Sequence, residues 1–454
     1  MGSDWKIFTL EELASEQKSA LATGPFGSAI SSKFFQENGI PVIRGGNLSA
    51  NTSDRMSDDG LVFVSEEKAA EFKRSVVRKG DLIFTCWGTI NQVGLLDEQR
   101  QFDEYIISNK QMKVTLDVDK ADPLFVYYMF SGPKKQKEIL QNGIGAAVPG
   151  FNLGQLREHK LTLPNINKQR RIASYLDSLD QKITLNNQIN QTLEQIAQTL
   201  FKSWFVDFDP VKAKMNGEQP KGMDAPFLSK EVASLFPEKL VESELGLIPE
   251  GWSQGVIADI AKLNAKSWTK KNQPEQVHYV DLANTKNGVI ETVTSYDFSE
   301  APSRARRILN SGDTIVGTVR PGNRSFAFIG DTEQPLTGST GFAVLSPKEE
   351  CWTSFVYLAT TNDDSIDEYA RLADGGAYPA IKPVVVADTP CVIPTKDVAQ
   401  KFWQLTEAML KKAHQNRLEN EVLAKLRDTL LPKLLSGEID LENLPVEQAK
   451  ALAE

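Results

Sequence analysis

"QKITLNNQINQTLEQIAQTLFKSWF" (residues 181–205) reads as a length of helix whose apolar seam is interrupted by amides. Extended upstream, the seam runs Ile172, Leu176, Leu179, Ile183, Asn186, Asn190, Leu193, Ala197, Leu200 and Trp204, at alternating steps of four and three. That is the a/d spacing of a coiled coil. Pro164 bounds the pattern upstream, and no proline or glycine occurs between Asn167 and Phe208. A helix over residues 165–208 is therefore expected. Asn186 and Asn190 are the anomaly, because a buried amide without a partner costs about 1–3 kcal/mol. A neighbouring stripe through Leu185, Ile189 and Ile196 would instead leave both amides in solvent.

The same pair recurs 230 residues later as Asn416 and Asn420, in "AHQNRLENEVLAKLRDTLLPKLL". At that offset Leu193 falls on Leu423, Ala197 on Arg427 and Leu200 on Leu430. The match continues upstream. Residues 143–164 lie against 375–394, with Pro149 on Pro379 and Pro164 on Pro394. "GDLIFTCWGTINQVGLLDE" (80–98) resembles "GDTIVGTVRPGNRSFAFIGD" (312–331), and "WKIFTLEELA" (5–14) resembles "WSQGVIADIA" (252–261). Several matches in one order mark an internal duplication.

Each copy is a module of about 150 residues followed by a long helix. Short runs such as "GDLIFTCW", "QMKVTLDV", "DTIVGTV" and "SFAFIG" are rich in β-branched and aromatic residues and bounded by turn formers, so they predict strands. "LFVYYMFSGPKKQKEIL" and "WTSFVYLATTNDDSIDEYARL" have helical spacing. The second long helix carries Phe402, Thr406, Met409, Ala413, Asn416, Asn420, Leu423, Leu430 and Leu434, with polar Thr406 and Arg427 on its seam. The expected fold class is α+β: two similar β-rich modules joined by two long helices forming an antiparallel coiled coil, with a pseudo-twofold internal repeat. Boundaries are expected at 1–164 and 247–394 for the modules, 165–208 and 395–439 for the helices, 209–246 for a connector and 440–454 for a tail.

Antiparallel packing would bring the helix midpoints together, so that Asn186, Asn190, Asn416 and Asn420 fix register: a slip would bury amides unpaired. Such a pair would hold two readers at a fixed spacing, as half-sites on duplex DNA require. A symmetric clamp for protein partners would look the same. In "FKSWFVDF", Phe201, Trp204 and Phe205 either cap the helical core or bind a partner.

Composition sets the outer limits. Hydrophobic content of 41% and charged content of 24% over 454 residues fit a soluble globular protein of two or three domains. No apolar run is long enough to span a membrane, and no signal peptide opens the chain, so a cytoplasmic setting is expected. Cys86, Cys351 and Cys391, with His159, His278 and His414, are too scattered for a disulfide framework or a zinc site. A net charge of −9 argues against an extended nucleic-acid-coating surface but permits a local basic cleft.

"QRRIASYLDSLDQKITLNNQINQTLEQIAQTLFKSWFVDFDPVKAK", the early "TGPFGS", the "IPEGW" before the second module and the late "LRDTLLPKLLSGEID" closely resemble the specificity subunits of type I restriction–modification systems. The resemblance covers nearly the whole chain. It implies two target recognition domains, each reading half of a bipartite site in double-stranded DNA. It also implies a coiled coil that docks two methyltransferase subunits, with S-adenosylmethionine bound by those partners. ATP and Mg would belong to partner restriction (translocase/nuclease) subunits.

Catalytic signatures are missing from the sequence: an Asn/Asp/Ser-Pro-Pro-aromatic tetrad, a dinucleotide-type glycine fingerprint, a phosphate loop and a Pro-Asp…Glu-x-Lys arrangement. A non-catalytic, binding role is expected. Base edges are read by donors and acceptors, while basic groups hold phosphates. The first module offers Arg44, Trp87, Thr89, Asn91 and Lys110. The second offers Lys266, Lys270, Lys271, Arg304, Arg306, Arg307, Arg320, Asn323, Arg324 and Tyr378. Ordinary solvated surface is the alternative for each, and a core position is the alternative for Trp87. The glycine pairs in "RGGN" and "DGGAY" read as turns. The competing function is a coiled-coil scaffold for protein partners that does not touch DNA.

Overall fold

The computed structural model describes residues 5–49, 51–144, 150–218 and 229–441. Pro149 of the repeat, residues 219–228 of the connector and the tail beyond 441 lie outside the described residues. The chain divides into two compact units, Met1–Asn186 with Leu418–Glu454, and Asn187–Arg417. Both divisions fall inside a long helix, between the two asparagines of its pair.

In the first unit, two four-stranded sheets carry the module. One orders Leu21–Thr23, Gln111–Val114, Leu82–Thr85 and Val93–Leu95, all antiparallel. The other orders Val62–Val64, Ile40–Ile43, Glu104–Ile107 and Val76–Arg78. Its central pair is parallel, with Val42 opposite Ile106. The ends of the module close on each other, since Lys6–Thr9 pairs antiparallel with Lys160–Leu163. Strands of three or four residues are too short to hold alone, so the first sheet leans on helix Pro123–Ser131, whose Phe125, Val126, Tyr127, Tyr128 and Phe130 are buried in the same core. Gly132 and Pro133 then end that helix and start Pro133–Gln141, splitting what the sequence pattern suggested as one element.

In the second unit the two-sheet plan is repeated, with an added hairpin of Thr285–Lys286 and Val289–Ile290. One sheet orders Ala261–Leu263, Phe342–Pro347, Thr314–Gly317 and Phe326–Phe328. The other orders Thr294–Asp297, Gln276–Val280, Leu336–Ser339 and Ala305–Leu309, again with one parallel pair, Tyr279 opposite Thr337. Ser253–Val256 pairs with Pro390–Ile393 to close the module. Asn362 breaks the helical stretch 353–372, because its side chain accepts from the Ser365 N–H at 2.9 Å and caps a new helix, Asp363–Leu372.

The long helices are Ile166–Phe205 and Lys396–Ser436. Within the first unit their segments run antiparallel: Arg427 Nη1 lies 2.8 Å from Asp180 Oδ1, and Asn186 Nδ2 donates to Asn420 Oδ1 at 2.9 Å and Glu419 Oε2 at 2.8 Å. Within the second unit Asn416 Nδ2 donates to Asn190 Oδ1 at 2.8 Å. The stripe is the one through the asparagines: Asn186 and Asn416 are buried, while Leu185 is exposed. Thr406 and Arg427, the other polar residues of the second seam, also find partners. The Thr406 hydroxyl donates to the Phe402 carbonyl at 2.8 Å, and Arg427 meets Asp180.

Phe201, Trp204 and Phe205 belong to the core of the second unit. Phe205 sits edge-on to Phe402 at 4.8 Å and Phe355 at 4.9 Å, and Trp204 meets Phe236 at 5.0 Å. Such aromatic pairs add about 0.5–1.5 kcal/mol beyond their area burial. The helix ends where Phe208 turns left-handed (φ 55°), and the connector begins with helix Asp209–Met215. Val211 and Phe236 then bury in the same core.

Candidate nucleic-acid interface

In both modules one construction recurs beyond the strand that follows the Gly-Asp turn. After Leu82–Thr85 the chain reaches Trp87, which forms a bridge with Gly150. After Thr314–Gly317 it reaches Val319, which bridges Ala380. Ile144 bridges Gly150 in turn, as Asp374 bridges Ala380. Equivalent loops therefore carry different side chains: Trp87, Thr89 and Asn91 in one, Arg320, Asn323 and Arg324 in the other.

In the first module the candidates gather through main-chain bonds. Ile43 delivers Arg44, and its carbonyl accepts from Ser108 N–H at 3.0 Å, placing Asn109 and Lys110 alongside. The Lys110 carbonyl accepts from Cys86 N–H at 2.7 Å, which sets Trp87 beside them. Arg44 is exposed, and its Nη2 donates to the Gly60 carbonyl at 2.8 Å. The "RGGN" glycines form a 3-10 turn pinned by buried Asn47, which accepts from Arg44 N–H at 3.0 Å and donates to the Ser57 and Asp59 carbonyls at 3.1 and 3.0 Å. Trp87 is 53% exposed, so it is not a core residue. Gly150 makes its seat: a Cβ there would come within 2.7 Å of the indole ring. Thr89 is exposed and Asn91 half-buried.

In the second module the candidates form two groups along one edge. Ser267 bridges Arg307, and Ile308 N–H donates to the Lys266 carbonyl at 3.2 Å, so the segment with exposed Lys266, Lys270 and Lys271 lies against strand Ala305–Leu309. Arg304 is exposed. Arg306 occupies a register shift and lies 5.0 Å over the Phe298 ring. Arg307 is half-buried, donates to Ser267 Oγ at 3.2 Å, and has its pKa pulled down by that burial. The bonds Thr340 N–H to Arg304 carbonyl and Thr318 N–H to Gly341 carbonyl, both 2.8 Å, lead along the edge to the second group.

That group is the "VRPGNR" loop. Arg320 (φ 49°) and Arg324 (φ 60°) both adopt left-handed backbone, which a side chain at these positions disfavours. The surroundings over-determine them: Arg320 N–H donates to the Pro379 carbonyl at 2.7 Å, its Nη2 to the Ala377 carbonyl at 2.8 Å, and Arg324 Nε to Asn287 Oδ1 at 2.9 Å. Arg324 also pairs with Asp363. The Arg320 guanidinium lies 4.6 Å over the Tyr378 ring, which is 71% exposed. An open recess of about 300 Å³ is lined by Arg320, Pro321, Gly322 and Asn323 on one side and Ala370, Ala373 and Pro379 on the other. A braced loop presenting a planar donor fork, an amide and an aromatic face is suited to reading base edges and stacking.

Sequence reasoning missed a buried polar network in the first unit. Arg55 pairs with Asp97 (3.1 Å) and with Asp177 of the first long helix. Tyr128, its hydroxyl pKa pushed up by burial, donates to Asp180 at 2.6 Å. The one available signal was Arg427 on a seam position. Among the described residues no group of three His, Cys, Asp or Glu could hold a metal, and no helix is long and apolar enough to cross a membrane.

With this geometry in view, residues 2–195 match the model of the type I restriction modification DNA specificity domain. Over most of its length the chain is also similar to type I restriction enzyme specificity subunits. It is 24% identical to the type I restriction enzyme HindI specificity subunit of Haemophilus influenzae, an alignment covering 96% of this chain and 100% of that one. It is 23% identical to the MjaIX specificity subunit of Methanocaldococcus jannaschii, covering 84% and 82%. The crystal structure of the S subunit from M. genitalium shares the fold, with a TM-score of 0.53 at 16% identity over 95% of this chain and 96% of that one.

Proposed function

We propose that this chain is the non-catalytic DNA-recognition subunit of a type I restriction–modification complex, each module reading one half of a bipartite site. One observation carries the reading: the same two-sheet module occurs twice, and its equivalent loops carry different hydrogen-bonding sets. A duplicated frame with divergent tips suits two different half-sites. Arg320 and Asn323, or Thr89 and Asn91, would contact base edges. Lys110, Lys266, Lys270 and Lys271 would hold phosphates, and Trp87 and Tyr378 would offer flat apolar faces. The amide pairs at 186/420 and 190/416 would fix the register of the helices that dock two methyltransferase subunits. Those partners would supply S-adenosylmethionine, and restriction subunits ATP and Mg. Replacing residues 303–325 with the same segment of a relative, then mapping methylated motifs, tests this. One half of the motif should change and the other persist; a motif unchanged in both halves would refute the assignment.

A further inference from the structure

The most exposed large apolar side chain among the described residues is Phe26, at 86%. It sits in the "TGPFGS" loop that follows strand Leu21–Thr23. The exposure is built in rather than a product of slack. Gly24 packs so closely on the Ser108 carbonyl that a Cβ would lie 1.8 Å from its oxygen, and its N–H donates to the Gln111 carbonyl at 2.9 Å. Gly27 takes a left-handed φ of 60°, and its carbonyl accepts from Asn109 Nδ2 at 2.9 Å. The loop is thus clamped at both ends to residues 108–111, with the ring held outward between the clamps. Lys110 follows Asn109 directly and is itself bonded to Cys86, next to Trp87. An apolar ring beside a lysine and an exposed indole matches one ligand chemistry on this edge: stacked bases flanked by phosphates. The equivalent loop of the second module is built differently. It carries Lys266, and its Trp268 is tied down, with N–H bonded to the Arg306 carbonyl (2.8 Å) and Nε1 to Thr337 (2.9 Å).

We infer that Phe26 is a wedge that inserts at a base step of the DNA bound by the first module, unstacking it locally. The inference rests on the recognition reading. Apolar side chains inserted this way kink the duplex at deformable steps, so the wedge would select sequence by deformability at a position it does not hydrogen-bond. Base–aromatic stacking is worth about 1–3 kcal/mol, so loss of the ring should weaken binding about 5- to 150-fold.

The test uses the full chain assembled with its methyltransferase subunits, on duplexes carrying the mapped motif with 2-aminopurine placed at successive positions. Wild type should raise fluorescence at one step of one half-site. F26A should abolish that signal and weaken binding by the stated factor, while F26L retains part of both. If F26A matches wild type in affinity and fluorescence, the wedge is refuted. If F26A instead releases the methyltransferase subunits, Phe26 is a protein contact and the inference falls. A wild-type complex with no sequence preference would overturn the recognition reading itself, an outcome distinct from a silent F26A.

Discussion

Arg427 occupies a seam position of the second long helix, where a leucine would be expected, and its removal should be unusually costly. Its Nη1 lies 2.8 Å from Asp180 Oδ1, and the two side chains are only 6% and 2% exposed. Asp180 also accepts from Tyr128 Oη at 2.6 Å and Ser53 Oγ at 2.8 Å. In R427A the carboxylate keeps two hydroxyl donors but loses its charge partner in a buried site. Breaking a buried pair from one side costs about 3–5 kcal/mol, whereas replacing both charges with apolar groups of similar volume is often neutral or stabilising. For a unit of this size each kcal/mol shifts Tm by about 2–4 °C. R427A should therefore lower the first unit's melting temperature by about 6–20 °C, read by scanning calorimetry of the intact chain. The double change R427M/D180L should recover most of that loss. A shift under about 2 °C for R427A, or no recovery in the double variant, would refute the assignment of a buried, mutually dependent pair.

Three further outcomes follow from the geometry. N190L with N416L should stabilise the helix pair by about 1–3 kcal/mol, because the buried Asn416 Oδ1 has no partner among the described residues. The same variant should allow cysteine cross-links one turn out of register that the wild-type chain excludes; an unchanged cross-linking pattern would show that the amides do not set register. R320A should reduce discrimination at one base of the second module's half-site by about 1–3 kcal/mol, measured as methylation across a panel of single-base variants, and leave the other half-site untouched. Glu194 is half-buried beside Tyr357, and that burial holds its carboxyl above the ordinary value of 4.5 against the opposing hydrogen bonds from Gln198 and Tyr357 and the charge of Arg417. The native chain then keeps a proton that the unfolded chain has released, so this group erodes stability as pH rises from 4.5 through the raised native value. E194Q should be the more stable protein at pH 7, with the advantage vanishing well below pH 4.5. Equal urea midpoints at both pH values would contradict this.

The long helices were legible because heptad spacing is a local pattern, and the duplication because it repeats in order. The amide pairing was legible for the same reason: Asn186 and Asn190 mark a place on one helix, and Asn416 and Asn420 mark its mirror on the other. Strand register was not. With three or four residues per strand, pairing is decided by which segments the core brings together, and no run shows enough alternation to choose a partner. Trp87 illustrates the limit, since composition favours a core indole, yet Gly150 seats its ring at the surface. Nothing in the sequence singles out Arg55, Asp177 and Asp180, because their charge partners lie 42 or more residues away. Phe26 was visible only as part of a motif, and its exposure depends on glycines clamped to a distant strand.

The most direct test of the account is long-read detection of methyladenine in cells supplied with type I methyltransferase subunits, with and without this chain. The account predicts one methylated bipartite motif that disappears when the chain is removed. Methylation that is unchanged without the chain would contradict it.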